Sequence, residues 1–400
     1  MVGRHVERRL CLGRKTILFF MPHTVKDEGA NGLILQRLKQ ACILHFFLHT
    51  RCFRPICIES QGAAMNEKIS RVSSLADASR RTALKAGLAA GLVSGFPALA
   101  RAQDNTIRIG YWPIAAGIPL YAGVNHDVFK QAGLQVEAVK FASAQQVVEA
   151  MIAGRIHGSA NGTASAALGL GDIAEPGLCK IIAANPSNAK LVLDEVLVAE
   201  KSDYKTIASL KGKRIGCGPG IQNVTLAKII FEKNGYPEVK PIEMPVGQHV
   251  AALAAGQVDA VYTLEPTGTV GRLKGLTKIL ETGVISKYVL GNPMAPWYGG
   301  SASLTAAFLK AQPELAKRYI TAYLSAIDLV LKEPAKVRPD LVGYTAIDAK
   351  LAEAVPLPGF TTYSQFTPSD IGYFQKFFDV FTERKIFTRK VDVASMLYRA

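Results

Sequence analysis

The chain has 400 residues, 49% of them hydrophobic, which is enough for two cores rather than one. Its formal charge of +15 is concentrated at the front: the first 102 residues hold 16 of the 47 basic and 6 of the 32 acidic groups, leaving a mildly basic, mixed-sign remainder. That excludes a nucleic-acid face, and the six cysteines, four of them before residue 60, exclude a disulfide-stapled framework.

Residues 1–64 carry no sustained amphipathic period, and their apolar pieces at 16–21 and 41–48 are too short to span a bilayer. Cys11, Cys42, Cys52 and Cys57 lack paired C-x-x-C spacing and do not read as a metal site. The stretch reads as an extension outside the fold, with Met65 as the true start. In residues 65–102, Arg80-Arg81 precede Leu84, Lys85, an Ala/Gly-rich apolar run over 86–100 and the small-residue site Ala100-Arg101-Ala102. This is the layout of a signal peptide, of twin-arginine type in its paired arginines, with the mature chain starting near Gln103.

The mature chain opens with an alternating strand over 106–112, ended by Pro113 and Gly117. A helix over 120–131, a strand over 136–139, a helix starting at 163–169, a strand over 181–184 and an apolar strand over 191–199 follow. Cys179 and Cys217 are either a pair or two small buried residues, and both readings stand.

The stretch at 248–261 is a diverged copy of the stretch at 146–160. Each holds an apolar face at helical spacing, a glycine (Gly154 or Gly256) where a left-handed C-cap belongs, and a short strand. Phe129 and Gly133 are likewise answered by Phe231 and Gly235, and Arg108-Ile109-Gly110 by Arg214-Ile215-Gly216. Two lobes of similar build are therefore expected. A helix over 221–234 and a strand over 239–244 belong to the second.

The rest of the chain reads as helices returning to the first lobe. Pro313 starts one with Leu315, Ile320, Leu324, Ile327 and Leu331 as its stripe. Thr367 caps another over 368–385, with Asp370 near its positive end and Ile371, Phe374, Phe378 and Phe381 inward as packing rather than a cofactor box. The fold class expected is α/β: two lobes, each a mainly parallel sheet flanked by helices, joined by a two-strand hinge. The first lobe takes 103–199 plus 300–400 and the second 200–299, with crossings near Ala199 and over 296–301.

No catalytic constellation stands out. His126, His157 and His249 sit in helical or repeated units, and Asp259 and Glu265 have no partner carboxylate marked by the sequence, so no metal site and no cofactor are expected. Gly216-Cys217-Gly218-Pro219-Gly220 departs from a dinucleotide loop, since Ile221 stands where its last glycine would be. It fits a turn presenting the backbone N–H groups of residues 221–223 to an anion, or plain helix capping. The two tryptophans, Trp112 and Trp297, fall in expected loops that would face each other across a cleft, favouring a ligand with an apolar or aromatic body.

Together, Ile107-Arg108-Ile109-Gly110-Tyr111, the 148–154 segment, the 210–216 segment and the 251–261 segment leading to Glu265-Pro266 resemble the periplasmic solute-binding proteins of ABC importers. That family handles nitrate, sulfonates, taurine and thiamine-pyrimidine precursors, and the resemblance covers nearly all of 104–400. It implies a clamshell of the type II binding-protein fold, acting as a monomer, that closes on one small molecule and delivers it to a membrane permease and its ATPase. By position, it places pocket residues at Trp112, Pro113, Asn161, Gly162, Thr163, Gln222, Asn223, Val224, Glu265 and Trp297. These offer no cationic side chain, so an organic sulfonate or carboxylate suits them better than nitrate. Two rivals are kept: a pyrimidine-precursor binder or pyrimidine-forming enzyme of thiamine synthesis, and a module reporting its ligand to a membrane sensor.

Overall fold

The computed structural model describes residues 106–400; the expected extension over 1–64 and the expected signal peptide over 65–102 lie outside the described residues. In chain order, β1 (Ile107–Tyr111), α1 (Ile118–Asn125), α2 (Val128–Gln131), β2 (Val136–Lys140), α3 (Ala144–Ile152), β3 (Gly158–Ala164), α4 (Ser165–Ala174) and β4 (Cys179–Ser187) come first. Then follow β5 (Asp194–Ala199), β6 (Ile215–Cys217), α5 (Ile221–Lys233), β7 (Ile242–Glu243), α6 (His249–Ala254), β8 (Ala260–Leu264), α7 (Thr267–Leu273), β9 (Thr277–Thr282) and α8 (Val284–Tyr288). The elements β10 (Trp297–Thr305), α9 (Pro313–Lys332), β11 (Thr361–Thr362) and α10 (Pro368–Glu383) complete the frame of the site.

Two sheets result, ordered β11-β4-β10-β3-β1-β2 and β7-β6-β8-β5-β9. The strands β2, β1 and β3 are mutually parallel, and β10 runs antiparallel between β3 and β4. The second sheet repeats this, with β7, β6 and β8 parallel and β5 antiparallel between β8 and β9. The sequence repeat is thus a repeat of topology.

Both sheets are mixed rather than mainly parallel. A strand that follows a crossover helix returns parallel, whereas β5 and β10 arrive straight from the other lobe and run back against their neighbours. The strand expected at 191–199 as the end of the first lobe pairs wholly within the second sheet, so the first crossing lies at 188–193, ahead of Ala199. The second crossing precedes Trp297, and the two are tied where the Ala189 N–H donates to the Pro293 carbonyl at 3.0 Å.

The helix expected over 120–131 is broken at Asp127, whose φ of 56° ends α1 and restarts the chain as α2. The buried face of α9 is Ala316, Tyr319, Ile320, Tyr323, Ala326, Ile327 and Val330; Leu331, expected in the stripe, is 55% exposed. This face packs chiefly on α1 and α2, with Tyr319 stacked on Phe129, which places the buried arc on the tyrosines. At α10 the capping box of Thr367 and Asp370 forms, and Phe374, Phe377, Phe378 and Phe381 are fully buried. The open question of the cysteines closes: Cys179 in β4 and Cys217 in β6 are free, buried and in different sheets, and burial pushes both thiols up to about 12.

Candidate functional site at the seam between the lobes

The seam is where the carboxyl ends of β3, β6 and β8 release the starts of α4, α5 and α7. Two of these starts lack a cap from their own turn. The N-cap of α4 is Ala164, and the Thr163 hydroxyl turns back to the Ala160 carbonyl at 2.9 Å. The N-cap of α5 is Gly220, held with φ of 98°. Helices of ten and thirteen residues therefore turn N–H groups that their own turns leave uncapped, and positive dipole ends, to the seam.

Gln222 bridges it. From the first turn of α5 its Oε1 accepts the Ala166 N–H at 2.9 Å, and its Nε2 donates to the Gly299 carbonyl of β10 at 2.8 Å. Other links surround this one. The Ala115 N–H donates to the Glu265 carbonyl at 3.0 Å, Lys274 pairs with Asp348 at 3.0 Å, and Arg384 beyond α10 pairs with Glu232 of α5 through two hydrogen bonds, one of 3.0 Å. The lobes are in contact along the seam.

On one flank a cavity of about 230 Å³ opens between the lobes. Pro113 and Ala346 line it from the first, and Val246, Val250, Val270 and Lys274 from the second. Its walls are chiefly apolar with one ammonium at hand, and its size is below the ~300 Å³ at which drug-sized pockets begin.

The sequence-chosen residues divide. Trp112 and Trp297 are not loop aromatics facing each other: Trp112 is buried and its Nε1 donates to the Gly162 carbonyl at 2.8 Å, while Trp297 begins β10, buried edge-on against Phe377. Glycine at 162 and 300 lets β10 lie close against β3, since a Cβ at Gly300 would stand 2.7 Å from the Gly162 Cα. Of the ten, only Pro113 lines the cavity. Gln222 joins the lobes through its side chain and Glu265 through its carbonyl.

Asn161, Gly162 and Thr163 lie inside β3, not at an exposed strand end. The Asn161 amide donates to Asn185 Oδ1 at 3.1 Å, its Oδ1 accepts the Tyr323 hydroxyl at 2.9 Å, and the Gly162 N–H shares Asn185 Oδ1 at 3.0 Å. Asn185 in turn donates to the Gly359 carbonyl at 3.1 Å, so this network is internal to the first lobe. Asn223 closes its own turn on the Pro219 carbonyl at 2.9 Å, and Val224 is half-buried against the core.

Sequence reasoning missed Asn185, Tyr323, Lys274 and, most of all, Glu195. Glu195 lies in β5 with no exposure and neither oxygen hydrogen-bonded, and a Cβ at Gly268 of α7 would overlap its carboxylate. Burial, then the neighbouring Glu265, pushes its pKa well up, which favours the protonated form. Glu265 is also raised, chiefly by burial and against the opposing hydrogen bonds from Thr269 (N–H at 3.2 Å, hydroxyl at 3.1 Å). Asp194, at the first crossing, is pushed up to about 6 by burial although Ser187 and the Ile285 N–H bond to it. Two apolar strand runs interrupted by a polar residue, Asn185 in the first and Asp194-Glu195 in the second, were the available signal. His249 is a core residue, bonded to Thr263 and the Met244 carbonyl and lowered to about 4 by burial.

Two sheets of one topology, joined by paired crossings and meeting at opposed helix starts, define a type II binding-protein clamshell. Residues 100–341 match the model of the NMT1-like family, and the chain belongs to that family. A curated Escherichia coli K12 protein named for aliphatic-sulfonate binding is 23% identical over 342 residues, covering 80% of this chain and 97% of that one. The alkanesulfonate-binding protein SsuA of Xanthomonas axonopodis pv. citri, solved with MOPS bound, superposes with a TM-score of 0.61 at 22% identity, over 75% of this chain and all of that one. The desulfurization enzyme DSZB shares the fold at 12% identity and a TM-score of 0.54, over 73% of this chain and 96% of that one, so the fold by itself does not separate binding from catalysis.

Proposed function

We propose that this protein is the exported ligand-binding component of an ABC importer, capturing a small organic anion, a sulfonate or carboxylate, between its lobes and handing it to a permease with its ATPase. The observation that carries the reading is the pair of self-uncapped helix starts, α4 and α5, on opposite sides of the seam. Each contributes roughly 0.3–1 kcal/mol of attraction to a negative group, and more when partly buried, without a cationic side chain. The apolar cavity flanked by Lys274 supports an organic body on that anion. The named ligands of the sulfonate-binding relatives support the same class. A ligand that touches both lobes favours the closed form by its differential affinity, which is what a delivery cycle requires.

Export is part of the proposal: the twin-arginine segment directs the chain to the periplasm, where the mature form acts as a monomer. Mass spectrometry of the secreted protein should find an N-terminus near Gln103, and Arg80→Lys with Arg81→Lys should retain it in the cytoplasm. For binding, the protein is titrated by calorimetry with butanesulfonate, MOPS, benzoate, nitrate and an aminopyrimidine. Saturable heat with a sulfonate or carboxylate supports the reading. Binding of the aminopyrimidine alone would transfer it to the pyrimidine-precursor class, and silence from every compound would sink it.

A further inference from the structure

We infer that the Gln222 side chain is a built-in competitor for the ligand's oxyanion: it occupies the start of α4 from the opposite lobe and must swing away for an anion to bind there. This rests on the reading of the protein as an anion-binding clamshell and names the group that sets its affinity.

A helix of ten residues whose N-cap is Ala164 needs a foreign acceptor, and its own chain withholds the nearest one because Thr163 bonds backwards to Ala160. The acceptor that arrives is Gln222 Oε1, an amide oxygen carrying partial negative charge, placed 2.9 Å from the Ala166 N–H. It sits where a sulfonate or carboxylate oxygen would be held more strongly, since charged acceptors form the stronger hydrogen bonds.

A second observation comes from β10. The Trp297 Nε1–H is buried with no hydrogen-bond partner, though an indole N–H at 1% exposure normally finds one. Its ring folds back over Gly299, where a Cβ would lie 2.6 Å from Nε1. Gly299 is the residue whose carbonyl receives Gln222 Nε2 at 2.8 Å. The unpartnered Trp297 N–H and the Gly299 carbonyl that receives Gln222 thus lie two residues apart on β10, and the idle indole donor would serve an incoming oxyanion beside the Ala166 N–H.

Gln222 is not needed to hold the lobes together. The Ala115–Glu265 backbone bond, the Lys274–Asp348 pair and the Arg384–Glu232 pair cross the seam elsewhere and remain when its amide leaves. Displacing it therefore exchanges the neutral bond at the Ala166 N–H for a charge-assisted one, at the cost of the donation to the Gly299 carbonyl, while the closed form persists.

The test compares wild type with Gln222→Ala, Gln222→Asn and Gln222→Glu by calorimetry with butanesulfonate and MOPS, alongside the melting temperature without ligand. Losing a competitor held by two hydrogen bonds should tighten sulfonate binding about tenfold in Gln222→Ala. The ligand-free melting temperature should fall at the same time, a combination that a merely structural glutamine would not give. Gln222→Asn, too short to reach both partners, should tighten binding by a smaller factor and provides the reading if the alanine variant folds poorly. Gln222→Glu places a fixed carboxylate on the helix start and should weaken sulfonates more than tenfold. Affinity in Gln222→Ala and Gln222→Asn that is unchanged or lower than in a sulfonate-binding wild type overturns the inference and leaves the functional reading standing. A wild type that binds no anion overturns both.

Discussion

The two lobes share a topology and differ in chemistry at the same place, the carboxyl half of the strand beside the hinge strand. In the first, β3 carries Asn161, whose amide is fully engaged with Asn185 and Tyr323. In the second, the end of β8 carries Glu265 next to Glu195, a pair of acids with two oxygens unmet by any hydrogen bond. Neutral amides that satisfy one another rigidify their surroundings, whereas a buried acid pair holds its shape only while it keeps its proton. The site in the first lobe is therefore held by hydrogen bonds between amides, and that in the second holds acids whose protonated form burial favours.

The largest effect should come from breaking the first arrangement. Asn185→Ala strands the Asn161 amide, the Gly162 N–H and the Gly359 carbonyl together, and should cost about 3–5 kcal/mol, read from the midpoint of urea unfolding. Next comes the acid pair. Because the folded protein keeps protons that the unfolded chain has lost, stability should fall as pH rises from the ordinary carboxyl range, first through the Asp194 window ending at about 6 and then further as Glu195 and Glu265 give way. Glu195→Gln should remove part of that slope, raising stability by roughly 1–3 kcal/mol at pH 8 and changing it little at pH 4. An unchanged slope in that variant would place the pH dependence elsewhere.

Two smaller changes sharpen the comparison by leaving both networks intact. Thr367→Ala removes the α10 capping box and should cost about 1 kcal/mol, altering the pH slope only in the acid range where Asp370 titrates and leaving the fall at higher pH in place. Arg384→Ala removes an exposed pair across the seam and should cost roughly 0.2–1 kcal/mol, an effect that fades in high salt.

How much of this could be read in the sequence follows from the range of each interaction. The repeat, the strand at 107–111, the α10 cap and the buried phenylalanines are local patterns with local causes, and the clamshell follows from them. The strand directions and the first crossing were misread: β10 stands where a crossing loop is expected, and nothing in Leu193 to Ala199 says which sheet will receive β5. Site residues fared unevenly for the same reason. Pro113 and Gln222 were chosen for their position at strand and helix ends and lie at the seam, whereas Trp112 and Asn161, expected to face a ligand, hydrogen-bond within the first lobe. Partners at a sequence distance, such as Tyr323 for Asn161 or Gly268 beneath Glu195, leave no mark near the residue they decide.

The exchange of strands at the seam also orders how the molecule can be assembled. All five strands of the second sheet lie between Asp194 and Thr282, one unbroken length of chain. The first sheet instead lacks its middle strand until β10 has been made, since β10 separates β3 from β4. A nascent chain can thus close its second lobe while the first still has a gap at its centre, with the β3 and β4 edges open. Completion of the first lobe then waits on pairings between residues far apart in sequence, the slow kind of contact. Any partner that captures the protein before folding is complete would find its most adhesive surface there.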